Sequence, residues 1–127
     1  MNLTKPFSVH NKPSQLDILL FTRHLATMIK AGIPIAEALS TLSDQTKSGV
    51  LKRIINQIEA DIQNGQSLAK ALGKHPLAFD QFYISLIEVS EASGSMDENL
   101  EFIALQLGKS YSLKKKIQTA LLYSLLS

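Results

Sequence analysis

The chain holds 127 residues, 45% of them hydrophobic, with six glycines and four prolines. That composition excludes a disordered protein and suits one domain able to bury about two-thirds of the surface its unfolded form exposes. The absence of cysteine excludes disulfides and thiolate-bound metals and fits a reducing compartment, which favours the cytosol.

Charge is unevenly spread behind a net value of +2: residues 1–108 carry nine Lys/Arg against eleven Asp/Glu, and residues 109–127 carry four lysines and no acid. Such asymmetry marks a nucleic-acid or membrane contact, and the apolar run that follows the lysines favours the membrane. No nucleic-acid partner is expected.

The first thirteen residues, "MNLTKPFSVHNKP", read as a flexible tail. They hold two prolines and lack the basic start and long apolar stretch of a signal peptide. From Ser14, a cap paired with Asp17, a first helix is predicted with Leu16, Leu19, Leu20, Leu25, Met28 and Ile29 at helical spacing. Gly32 ends it and Pro34 opens the second, so "AGIPI" is a corner between two helices.

Ile35, Leu39 and Leu42 carry the second helix to the break at "SDQTKSG"; a third runs from Gly49 to Asn64 on Leu51, Ile54, Ile55, Ile58 and Ile62, and stops at Gly65. Ser67 caps a short fourth, "LAKALGKH", which ends before Pro76. Asp80 caps a fifth, "QFYISLIEVSEAS", which Gly94 ends, and Met96 or Asp97 opens a sixth whose Leu100, Ile103, Ala104 and Leu107 lead towards the lysines.

No segment patterns as a strand. The expected fold is therefore all-α, an antiparallel six-helix bundle built from helical hairpins. "AGIPIAEAL" at 31–39 and "NGQSLAKAL" at 64–72 echo each other, either as common helix starts or as a duplicated hairpin.

Catalytic and metal templates find little. His10, His24 and His75 form no paired ligand motif, there is no glycine-rich phosphate loop, and no serine sits in a nucleophile turn. No cofactor is expected. One polar region stands out: Asp80, Glu88, Glu91, Asp97, Glu98 and Glu101, with no Lys or Arg between them. Glu88, Glu91, Asp97 and Glu98 are candidates for a divalent-cation site, since carboxylate oxygens suit such ions. A partner-facing acidic patch and a solvated face are the alternatives.

The last eleven residues, from Ile117 to Ser127, are mostly apolar but short of the about 20 that a membrane span needs. They read either as a final core helix or as the start of a transmembrane helix cut short. Lys114, Lys115 and Lys116 favour the second reading, because clustered lysines flank spans on the cytoplasmic side. The expected division is a tail at 1–13, a bundle at 14–116 and the beginning of a span at 117–127.

"FTRHLATMIKAGIPIAEAL" (21–39), "GQSLAKAL...HPLAFDQFYISLIEVSEASGSMDENLEFIA" (65–104) and "KKKIQTALLYSLL" (114–126) closely resemble the type II secretion system F domain. Phe21, Arg23, Leu25, Ala31, Gly32 and Pro34 match its first motif, Gly65, Ser67 and Leu68 its second, and Glu91, Ser93 and Gly94 its third. The chain departs at Ser90, where glycine is frequent, and at Met96, where leucine is usual.

The resemblance implies the first cytoplasmic domain of a non-enzymatic, polytopic inner-membrane platform protein of type II secretion or type IV pilus machines. It implies contacts with the assembly ATPase, with other inner-membrane components and with pilin or pseudopilin subunits, and association as a homodimer or higher oligomer. Arg23 and Glu91 are the motif residues least explained by helix punctuation, and a buried or interfacial ion pair between them is the expectation. The alternative function is a soluble helical adaptor or regulatory bundle whose last helix packs on its own core; a metal-dependent enzyme resting on the carboxylates comes third.

Overall fold

A computed structural model describes residues 12–127, so the expected N-terminal tail and His10 lie mostly or wholly outside the described residues. Six helices follow in order: α1 (Gln15–Lys30), α2 (Ile35–Gln45), α3 (Gly49–Gln63), α4 (Leu68–Gly73), α5 (Gln81–Ser93) and α6 (Met96–Leu126). Among the described residues there is no strand, and the all-helical bundle matches the sequence reading.

Local signals place the helix ends. Ser14 Oγ accepts the Asp17 amide at 3.0 Å and the Asp17 carboxylate accepts the Ser14 amide at 3.1 Å, a reciprocal cap. Ser48, Ser67 and Asp80 cap α3, α4 and α5 by accepting the amides of Leu51, Lys70 and Tyr83. Pro34 is the residue before α2 rather than its first turn, and its carbonyl accepts the Ala38 amide at 2.9 Å. α4 ends at Gly73, two residues earlier than expected, because the chain turns at 75–79 with both Ala78 and Phe79 amides donating to the His75 carbonyl at 3.0 Å.

The echo between 31–39 and 64–72 is geometric. Gly32 and Gly65 take left-handed φ values of 87° and 89°, Ile33 and Gln66 donate five residues back to Met28 and Asp61, and the two glycine amides donate three residues back to Ile29 and Ile62. Both helices thus close with the same motif before the next begins.

The α4–α5 and α5–α6 pairs are antiparallel hairpins, and the first and last helices close the bundle. Down the α1–α6 contact, Gln15 and Leu16 lie beside Tyr111 and Lys114, Leu19 and Arg23 beside Gly108, and Lys30 Nζ is 3.1 Å from Glu101 Oε1. α2 and α3 are tied by a hydrogen bond from Ser43 Oγ to Asn56 Oδ1, and α5 and α6 by one of 2.7 Å from Asn99 Nδ2 to Ser90 Oγ.

The core joins Phe21, Leu25, Leu39, Leu42, Ile55, Ile58, Leu72, Phe79, Ile87, Leu100 and Ile103. The expectation for α1 needs correction, since Leu16 and Leu20 remain 39% and 37% exposed while Ile18, Phe21 and Thr22 face inward. The reason is that α1 is gripped from two sides: Leu19 meets α6 at Gly108, while Phe21 meets Phe79 and Thr22 meets Tyr83 of α5.

Thr22 Oγ1 donates to the Ile18 carbonyl at 2.7 Å, which leaves its lone pairs for the Tyr83 hydroxyl, also at 2.7 Å. Burial pushes the Tyr83 hydroxyl well above the ordinary phenol value, with the Thr22 bond opposing the shift.

Gly108 lies in the interior of α6, where glycine costs helix stability. A methyl group there would stand 3.7 Å from Arg23 Nη2 and 3.9 Å from Leu19 Cδ1, ordinary contact distances. Gly108→Ala is therefore expected to stabilise the fold by about 0.5–1 kcal/mol. A lower urea midpoint in the variant would show instead that α1 and α6 need the missing side chain.

α6 does not stop at the bundle edge. Every residue from Ser112 to Ser127 is exposed, yet the helix runs unbroken across the expected boundary at 116–117. No helix among the described residues is long and apolar enough to cross a membrane.

Candidate functional site

The site grows from the corners that the glycines make. The turns at Gly65 and Gly94 lie at one end of the bundle, because α4 and α5 form a hairpin whose open end brings residue 67 beside residue 91. There Glu91 reaches across from the last turn of α5: its Oε2 accepts the Leu68 amide at 2.8 Å and its Oε1 the Ala69 amide at 2.9 Å. Ser67 Oγ takes the Lys70 amide at 3.1 Å. Three free donors of α4's first turn are thus satisfied, two by a carboxylate that also matches the positive end of the helix dipole.

Beside this cap lies a cavity of about 340 Å³ lined by Ile29, Ile35, Ile62, Gln66, Leu68, Glu91 and Met96. Ile29 and Ile35 flank the Gly32–Pro34 corner, so residues next to all three sequence motifs meet around one hollow. Gln66 Oε1 is buried there without a hydrogen-bond partner among the described residues. Met96 fills part of the wall, and Ser90 is a buried anchor that donates to the Leu86 carbonyl at 2.6 Å while accepting from Asn99. Serine at 90 therefore adds a link between α5 and α6 that glycine lacks.

The remaining expected residues fall elsewhere. Phe21 is a core residue, its ring 5.9 Å from that of Phe79. Arg23 is exposed on α1 against Gly108. Arg23 and Glu91 form no ion pair with each other among the described residues, where the ion pairs are Lys30–Glu101 and Lys74–Asp61, so the buried form of the expected pair is not present; both Glu91 oxygens hold amides. The sequence marked Glu91 but did not point to the two backbone amides it holds. A carboxylate near a helix end paired with a distant helix start leaves no local spacing to read.

Glu88 is exposed on α5, while Asp97 and Glu98 occupy the first turn of α6. No three acids or histidines among the described residues are grouped to hold a metal ion. His24 is exposed on α1, and His75 lies at the turn after α4, where burial holds its imidazole below the ordinary value against the pull of Asp61, with Lys74 adding to the depression. Lys114, Lys115 and Lys116 stand exposed on the free length of α6, and Lys115 Nζ sits 5.7 Å from the Tyr111 ring centre. Chemically, the site offers shape, the Glu91 carboxylate and an apolar wall.

The model of the family described as type II secretion system (T2SS), protein F, matches residues 21–127. The type IV pilus assembly protein PilC of Pseudomonas aeruginosa is 34% identical over 112 residues, covering 88% of this chain and 30% of that protein. PilC of Myxococcus xanthus is 36% identical over 110 residues, covering 87% of this chain and 26% of the relative. The type II secretion system protein F of Vibrio cholerae is 30% identical over 107 residues, covering 84% and 26%. The chain thus spans less than a third of the length of these curated relatives.

Proposed function

The chain belongs to the type II secretion system protein F family, and on that premise we propose that it is a cytoplasmic, non-enzymatic domain of an inner-membrane platform protein. In this reading it scaffolds pilus or pseudopilus assembly and couples the assembly ATPase to pilin movement. Its partners are that ATPase, other inner-membrane components, pilin or pseudopilin subunits and further copies of itself. The bundle at 14–116 is the cytoplasmic body, and residues 117–127 begin a membrane-spanning segment.

One observation supports this most: α6 leaves the bundle as an exposed helix whose lysine collar, Lys114 to Lys116, is followed by exposed Ile117, Leu121, Leu122, Tyr123, Leu125 and Leu126. Apolar side chains on every side of a helix are unfavourable in water and favourable in lipid, and lysines flank such segments on the cytoplasmic face. The motif cluster around Glu91 then fixes the shape of the opposite part of the body, where partners dock.

The test uses the full-length gene product in its own cell. Alkaline extraction is expected to leave the protein in the membrane pellet, and deletion of the gene is expected to abolish surface pili or substrate export while pilin precursors persist. Release into the soluble fraction would overturn the membrane reading; unchanged pili and export would overturn the platform reading.

A further inference from the structure

The outer faces of α5 and α6 carry a feature that the fold leaves uncovered. Phe82 and Val89 on α5 are 53% and 57% exposed, and Phe102 and Leu105 on α6 are 47% and 56% exposed. They form one surface, because the Phe82 and Phe102 rings lie 6.4 Å apart across the two helices. Along α5 the exposed row is Phe82, Ser85, Val89 and Ala92, which alternates large and small side chains. Two half-exposed aromatic rings in contact, with small residues a turn away, offer the knobs and hollows into which a helix packs.

Charge says what fits. Glu98 and Glu101 share the α6 stripe with Phe102 and Leu105, Glu88 adjoins Val89 on α5, and residues 76–108 contain no lysine or arginine. Glu101 is met by Lys30 of α1, whereas Glu88 and Glu98 are in neither ion pair of the described residues. A two-fold contact between copies through this face would bring those carboxylates together, and an anionic bilayer would repel them.

We propose that this α5–α6 face docks an amphipathic helix of another protein, one whose apolar stripe covers Phe82, Val89, Phe102 and Leu105 and whose lysines or arginines meet Glu88 and Glu98. The inference deepens the reading of this body as a partner-binding scaffold. It rests on the face being an interface and does not depend on pili or export.

The probe is a labelled synthetic helix of leucine and lysine, about eighteen residues long, compared with an isomer of the same composition whose leucines are spread around the helix. Fluorescence anisotropy with this chain is expected to show binding of the amphipathic peptide only, weakening as salt rises. Phe102→Asp should weaken it roughly tenfold or more, as loss of a central anchor does. The double change Glu88→Lys and Glu98→Lys should weaken it and remove most of its salt dependence. Both variants alter exposed positions, and an unchanged urea midpoint confirms that they fold.

Absence of binding, equal binding of the isomer, or binding unaffected by either variant overturns the proposal. So does a doubled mass in sedimentation that Phe102→Asp abolishes, which would give the face to a second copy. None of these results touches the gene-deletion phenotype, so the two readings fail separately.

Discussion

Replacing Phe79 with alanine is expected to remove about 3–5 kcal/mol of folding stability, the usual cost of emptying a buried phenylalanine site. The ring is 1% exposed and sits between Phe21 at 5.9 Å and Tyr83 at 4.9 Å, the latter in edge-on contact. Its backbone lies in the turn between α4 and α5, held by the His75 carbonyl, so it cannot slide inward to fill the void. Since a domain of this size has only about 5–15 kcal/mol in total, urea titration should show the midpoint falling by a large fraction of its native value. A loss under about 1 kcal/mol would mean that Phe21 and Tyr83 close the gap by themselves.

Glu91→Ala comes second, with an expected loss of about 1.5–3 kcal/mol. The variant strips the acceptor from two α4 amides at once, and a helix of six residues has no propensity to hold itself without such support. Glu91→Gln keeps one carbonyl acceptor and loses the charge, so it should fall between alanine and the native chain. Hydrogen exchange gives a residue-level readout: the amides of Leu68 and Ala69 should lose protection before those of α1 or α6. Uniform loss of protection across all helices would show that Glu91 serves the global fold and not the α4 start.

These two residues also show what sequence conveys and what it withholds. The caps Ser14, Ser67 and Asp80 and the stops Gly32, Gly65 and Gly94 were legible because each acts within four residues of itself. The periodicity of α3 and α6 named their buried sides for the same reason. Phe79 escaped notice because it lies in no periodic segment: a turn places it in the core. Leu16 and Leu20 misled because spacing shows which residues share a face, not whether a neighbour covers it. Glu91 was singled out by its motif, yet its partners, two backbone amides 22 and 23 residues away, carry no side-chain signature. The convergence of the three motifs on one cavity follows from the α4–α5 hairpin and the α1–α2 corner and is visible only in the assembled bundle.

The 31-residue helix α6 is one continuous piece, roughly 47 Å from end to end. Its first half is clamped by α1 and its second half is exposed, with no proline anywhere along it. Such a rod is a lever: a tilt or twist imposed on the far tip is carried past Gly108, where α6 rests on Leu19 and Arg23, to the Glu101–Lys30 link and the α5 seam. Whatever grips Leu121 to Leu126 therefore steers the attitude of the whole body.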